Sequence, residues 1–247
     1  MANPPDTLWL CLNPSLRPFD QLLCRQLNRQ TELRCWGYYQ TPDEPCCIET
    51  ALGLLHQYMR LQGRPMHLLG HGLSGALGLL YARLHPHWVT SLTLLSVGGN
   101  PAVGWHAHYY ALRDLLPCDR KAILMQMARM LFGPQVLGQT LAQAKLLAQV
   151  LDTELTPHSI GHHNQFSPGG VIPPLLVCRG EHDTIVDPNA QAQWQPWLKP
   201  GDSLWSCPEG RHFFHYDHPQ PVSQIILEFW QGVSSASSDR PLIELKP

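Results

Sequence analysis

Charge is scarce in this chain. Aspartate, glutamate, lysine and arginine together make up 15% of its 247 residues, and the formal net charge at pH 7 is −2. With so small an excess of either sign, there is no electrostatic case for nucleic acid or an anionic membrane as a partner. The 14 histidines add positive charge only toward pH 6. No segment approaches the roughly 20 consecutive apolar residues of a membrane-spanning helix. The opening stretch "MANPPDTLWLCLN" has no basic region leading into a long apolar one, so no secretory signal is expected. A soluble, cytoplasmic protein is the resulting expectation. C-x-x-C pairs are absent, and the eight cysteines are scattered. Cys11 and Cys178 fall inside apolar runs, where a reduced thiol behaves as a small hydrophobe. There is no internal repeat. Apolar residues, by contrast, reach 44%, which suits a packed core.

Those apolar residues alternate between two periods. Thr7–Asn13, "ELRCWGY", "PMHLLGHG" and Trp88–Val97 are short apolar runs of the kind that form buried strands. Between them, Phe19, Leu22, Leu23 and Leu27 recur at helical spacing behind Pro18. "CIETALGLLHQYMRLQ" and a run of small and apolar residues ending at Leu84 are also helical. Strand and helix alternating at this pace predict a doubly wound α/β fold, a mostly parallel sheet covered on both faces. The alternation stops at Gly98. It resumes with Pro173–Gly180, "NAQAQWQPWL", "DSLWSCPEG" and "PQPVSQIILEFWQG". The expected organisation is a core of residues 1–97 and 171–232, an inserted helical cap over 98–170, and a flexible tail over 233–247. That tail is Ser-rich and carries a short apolar patch, Leu242, Ile243 and Leu245.

Three motifs concentrate the chemistry. "GHGLSGALG", starting at Gly70, lies where the third strand meets a helix of small residues. "LLVCRGEHDTIVDP" ends a strand in Gly-x-x-Asp at Asp183, and "PEGRHFFHYDHPQPV" places His212 ahead of the last helix. In this order and spacing the chain resembles the α/β-hydrolase superfamily, whose nucleophile turn, acid and histidine follow one another in the same sequence. The resemblance runs from about Leu8 to Trp230, with 98–170 standing where these proteins carry a helical cap.

What the resemblance implies is a serine hydrolase site without its serine. Gly70 and His71 match the turn, Gly72 takes the nucleophile's place, and Ser74 and Gly75 take the two small positions after it. A frame shifted by two residues would make Ser74 the nucleophile within "GLSGA". Ser74 would then lie about 200° around the helix from the turn position, at 3.6 residues per turn. Asp183 matches the triad acid and His212 the general base, although Arg211 stands where glycine is usual. Asp187, before Pro188, suits a helix N-cap. His215 and His218 make a metal site with His212 conceivable on spacing, yet no Cys or Glu converges on them. No metal and no cofactor is therefore expected. The oxyanion donors would be the N–H of Leu73 and the turn after the first strand, where "NPSLRPF" replaces the usual His-Gly. Pro14 has no N–H to offer. Asn13 and Ser15 remain, with His71 alongside as a further binding candidate.

Removing the nucleophile of a serine triad costs on the order of 10⁶ in kcat. Glycine in its place relieves a backbone strain of roughly 1–3 kcal/mol. The chain is thus expected to be a non-catalytic or strongly impaired hydrolase homologue that binds a small apolar molecule or a protein partner. Two alternatives stay open. One is hydrolysis of an ester or related acyl or C–C bond by an Asp183–His212 dyad with water. The other is an inactivated copy of a serine esterase. In the cap, Trp105, Tyr109 and Tyr110 are candidates for lining a pocket, although helix packing explains such residues as well.

Overall fold

β1 (Asp6–Cys11) runs parallel to β2 (Glu32–Gly37) on one side and to β3 (Met66–His71) on the other. β4 (Val89–Leu95), β5 (Leu175–Gly180) and β6 (Ser203–Cys207) continue the parallel sheet, giving the order β2-β1-β3-β4-β5-β6. The structure, a computed structural model, describes residues 6–44, 47–99, 104–155, 167–186 and 189–238.

Parallel neighbours need crossovers. These are α1 (Arg17–Leu27), α2 (Ile48–Gln62) and α3 (Gly72–Leu84), each between consecutive strands. Between β4 and β5 the chain forms α4 (Trp105–Leu115), α5 (Arg120–Phe132) and α6 (Leu137–Thr153). α7 (Ala190–Trp194) precedes β6, and α8 (Phe214–Asp217) and α9 (Pro219–Ser238) follow it. Local signals set several ends. Asp119 caps α5 by accepting from the Ala122 N–H at 2.7 Å, and α2 stops at Gly63 in the left-handed conformation.

Strand periodicity sorts side chains onto two faces. Leu8 and Leu10 of β1, Leu68 of β3, and Leu92 and Leu94 of β4 pack beneath α2 and α3. Trp9, Leu69, Leu95 and Leu176 face the other way and pack beneath α1 and α9. The doubly wound parallel fold expected from the alternation is present. A third cluster joins α4–α6 to Leu16, Phe19, Ile185 and Phe213, so the segment between β4 and β5 rests on the loops at the C-terminal ends of the strands.

The expected start of the tail moves. α9 continues through Ser238, six residues beyond Gly232. The hydroxyls of Ser234 and Ser235 donate back to the Trp230 and Gln231 carbonyls, which is how serines are accommodated in a helix. The apolar patch at Leu242, Ile243 and Leu245 lies outside the described residues. Among the described residues no helix is long and apolar enough to cross a membrane.

One buried histidine in the sheet makes stability depend on pH. His67 of β3 bonds Ser91 Oγ through Nδ1 at 2.6 Å, and burial pushes its imidazole down to about 4. Above the unfolded value near 6.5 the ring is neutral in both states. Below it the unfolded chain takes up a proton that the folded chain refuses, so stability falls with acid down to about pH 4. Between pH 7.5 and pH 5 the wild type should lose about 2 kcal/mol more than His67→Asn in urea titrations. Equal losses would show that His67 is not the acid-sensitive group.

Candidate active site

β3 passes into α3 without a loop. His71 ends the strand and stands just before the helix without a side-chain capping bond, and Gly72 opens the helix with φ +51°. Glycine reaches that left-handed region freely, whereas other residues do so at a cost. The turn also depends on close approach at its flanks. A Cβ on Gly70 would lie 2.8 Å from the Gly75 nitrogen, and one on Gly75 would lie 2.6 Å from the Gly70 oxygen. A Cβ on Gly72 would meet nothing within 4 Å. Ser74 is buried, and its Oγ accepts from the Leu12 N–H at 2.9 Å, tying α3 to the end of β1. Gly72, and not Ser74, occupies the strained tip of the turn.

The acid and the histidine are brought together by the loops after β5 and β6. A Cβ on Gly180 would collide with the carbonyl oxygens of Gly210 and Arg211, so the two loops can touch only with glycine there. The His182 N–H reaches the Gly210 oxygen at 2.8 Å. Against this frame His212 Nδ1 donates to Asp183 Oδ2 at 3.0 Å and lies 3.2 Å from Oδ1. Asp183 Oδ1 also accepts from the N–H groups of Ile185 at 2.9 Å and Val186 at 3.1 Å. Burial pushes the Asp183 carboxyl up. The His212 charge and these hydrogen bonds outweigh burial and hold it below the usual carboxylate range. With Nδ1 committed to the carboxylate, Nε2 is the nitrogen left for chemistry, and it makes no hydrogen bond among the described residues.

The main chain of His212 is held as firmly as its ring. Its carbonyl accepts from Ser96 Oγ at 2.8 Å and from His71 Nε2 at 3.0 Å. Burial, with His212 and His215 close by, keeps His71 well below the ordinary imidazole value. His71 is therefore neutral, with its proton on Nε2. The sequence suggested a binding role for His71, whereas the structure uses it to anchor the histidine loop.

No family model matches the chain. Two curated relatives, both described as uncharacterized proteins, match almost end to end. The one from Synechocystis sp. is 43% identical over 240 residues, covering 95% of this chain and 96% of its own length. The one from Nostoc sp. is 39% identical over 235 residues, covering 94% and 92%. Among solved structures, carboxylesterase CesB from Bacillus subtilis superposes with a TM-score of 0.71 at 15% identity, covering 94% of this chain and 85% of its own. A serine hydrolase involved in carbazole degradation gives 0.67 at 15% identity, covering 93% and 92%. A Vigna radiata epoxide hydrolase variant gives 0.66 at 14% identity, covering 93% of each chain. This chain is an α/β-hydrolase-fold protein. It belongs to one family with the two cyanobacterial proteins, and the fold it shares with the solved structures hosts more than one chemistry.

In this hydrolase-fold protein the turn after β1 is already engaged. The Ser15 N–H donates to Glu154 Oε1 at 2.6 Å, and Asn13 Nδ2 donates to Glu154 Oε2 at 3.0 Å. Glu154 follows the last residue of α6, 139 and 141 positions along the chain from its two partners, and no sequence spacing pointed to it. The two residues expected to serve as oxyanion donors thus hold an internal carboxylate. Leu73, the other expected donor, is the second residue of α3 and packs its side chain against the α2–α3 core.

The aromatic residues of α4 are placed differently from the pocket expectation. Trp105 and Tyr109 are 6% and 2% exposed, inside the cluster with Ile123, Met127 and Leu147. They stand at i and i+4, so one helix face buries both. Tyr109 Oη accepts from Arg113 at 3.1 Å, and Tyr110 is turned outward, 46% exposed. Helix packing accounts for Trp105 and Tyr109.

His215 is also taken up elsewhere. Its Nε2 meets Asp20 Oδ1 at 3.0 Å, and Asp20 Oδ2 accepts from the Trp9 indole at 3.2 Å. No group of three metal-ligating side chains occurs among the described residues, and Asp187 lies outside them. Burial pushes the Cys11 and Cys207 thiols up to about 12 and raises Cys178 as well, so these three are protonated, unreactive groups.

Proposed function

We propose that this protein is a hydrolase-fold binding protein in which serine acyl transfer is absent, and that it holds a small apolar molecule beside the Asp183–His212 pair. The observation that carries the reading is Gly72 at the tip of the turn, with φ +51° and no side chain to attack a carbonyl. The engaged turn at Asn13 and Ser15 supports it from the opposite side. One observation favours a second reading, general-base chemistry on water. The His212 ring is fixed through Nδ1 while Nε2 is left uncommitted, as a base requires.

The wild type should show no labelling by a fluorophosphonate and no turnover of p-nitrophenyl butyrate above background. Ser74→Ala should match it in both assays while losing about 1 kcal/mol of stability with the Leu12 hydrogen bond. Labelling that disappears in Ser74→Ala would overturn the assignment of Gly72. Turnover without labelling, abolished by His212→Ala, would select the general-base reading.

A further inference from the structure

The turn after β1 is a converging pair of donors, and what they converge on is a carboxylate. The Ser15 N–H and the Asn13 side-chain amide each take one oxygen of Glu154, at 2.6 Å and 3.0 Å. Glu154 is partly buried, and these two neutral groups are its only partners among the described residues, with no lysine or arginine on it. The turn is tied to the first turn of α3 through the bond from the Leu12 N–H to Ser74 Oγ at 2.9 Å.

We propose that Glu154 is an internal ligand of this turn, and that the molecule the site admits is a small carboxylate that displaces it. The inference rests on reading the turn as the oxyanion side of the proposed binding site. Hydrogen bonds to an ionised acceptor are roughly twice as strong as those to a neutral one. An ester or amide carbonyl therefore cannot readily take two donors from a carboxylate. Another carboxylate can, because it offers the same two oxygens while the released Glu154 returns to water. The site as built rejects the neutral substrate of an esterase and accepts the anion that such a reaction would leave. Ligand affinity is then set by competition, because any molecule using these donors binds more weakly by the fraction of time Glu154 occupies them.

The test compares butyrate, butyramide and butylamine, which share one alkyl body, by calorimetric titration of the full chain and by NMR of the Ser15 amide. Wild type should prefer butyrate to butyramide. Glu154→Ala should bind butyrate about tenfold more tightly than wild type, and Asn13→Ala more weakly. In Glu154→Ala the Ser15 amide resonance should move on butyrate addition. Glu154→Gln preserves the shape of the contact and should give a smaller gain, which keeps the test available should the alanine variant fold poorly. Unchanged butyrate affinity in both Glu154 variants would overturn the proposal, as would equal affinity for butyrate and butyramide in Glu154→Ala. Butylamine binding that is lost with Glu154 would overturn it too, by making Glu154 the recognition group itself. These outcomes are separate from fluorophosphonate labelling of the wild type, which would sink the proposed function and leave the displacement result to stand.

Discussion

Gly72→Ser should be labelled by a fluorophosphonate and should hydrolyse p-nitrophenyl butyrate, reactions the wild type is expected not to perform. The space for the hydroxyl exists, since a Cβ at this position touches nothing within 4 Å. The acid and base it needs are already hydrogen-bonded, with His212 Nδ1 3.0 Å from Asp183. A complete triad is worth on the order of 10⁶ in kcat, and a lost oxyanion donor removes about 10²–10³ of that. A gain of about 10³–10⁴ over wild type is therefore expected while Glu154 holds the turn after β1. Adding Glu154→Ala should raise the rate further, and adding His212→Ala should abolish it. The same substitution should lower stability by about 1–3 kcal/mol, because serine must adopt φ +51°. A Gly72→Ser protein that folds but neither labels nor turns over, even with Glu154→Ala, would mean that Gly72 is not a vacated nucleophile position.

Asp20→Ala is expected to lower stability by about 3 kcal/mol, the largest loss from any single polar group described above. Asp20 joins α1 to Trp9 of β1 and to His215 of α8, and His215 is fully buried. Deleting the carboxylate leaves the Trp9 indole N–H and His215 Nε2 without partners, and His215 Nδ1 already lacks one. Urea denaturation at neutral pH measures the loss. Pairing Asp20→Leu with His215→Phe should recover only the part due to His215, because the apolar pair removes the unsatisfied imidazole while the Trp9 indole N–H still lacks its partner. A loss below about 1 kcal/mol in Asp20→Ala would show that water or a local shift satisfies the pair.

The sheet and its helices were legible in the sequence because they rest on short-range rules, whereas Gly72 was picked out through the resemblance. Alternating apolar runs, helical spacing and the small residues at Gly70 and Gly75 all act over fewer than about ten residues. The pairing of Asp183 with His212 was legible only through resemblance, since nothing local joins loops 29 residues apart. What stayed hidden depends on distant meetings without a pattern. Glu154 reads as an ordinary helix-end residue until the fold delivers it to Ser15, and Asp20 meets His215 across 195 positions. Trp105 and Tyr109 misled in the other direction, because an aromatic stripe has the same spacing whether it lines a pocket or fills a core. The end of α9 was missed because serines weaken helix propensity only slightly, and back-bonding to the preceding turn tolerates them.

The two hydrogen bonds on the His212 carbonyl separate the posture of this residue from its reactivity. Ser96 and His71 grip the peptide group, which every amino acid shares, while Asp183 holds the imidazole separately. Substituting the side chain therefore leaves the loop in place, so the reactive groups here behave as interchangeable fittings on a fixed bracket. Each such fitting can be exchanged by itself while the bracket that carries it keeps its hydrogen bonds.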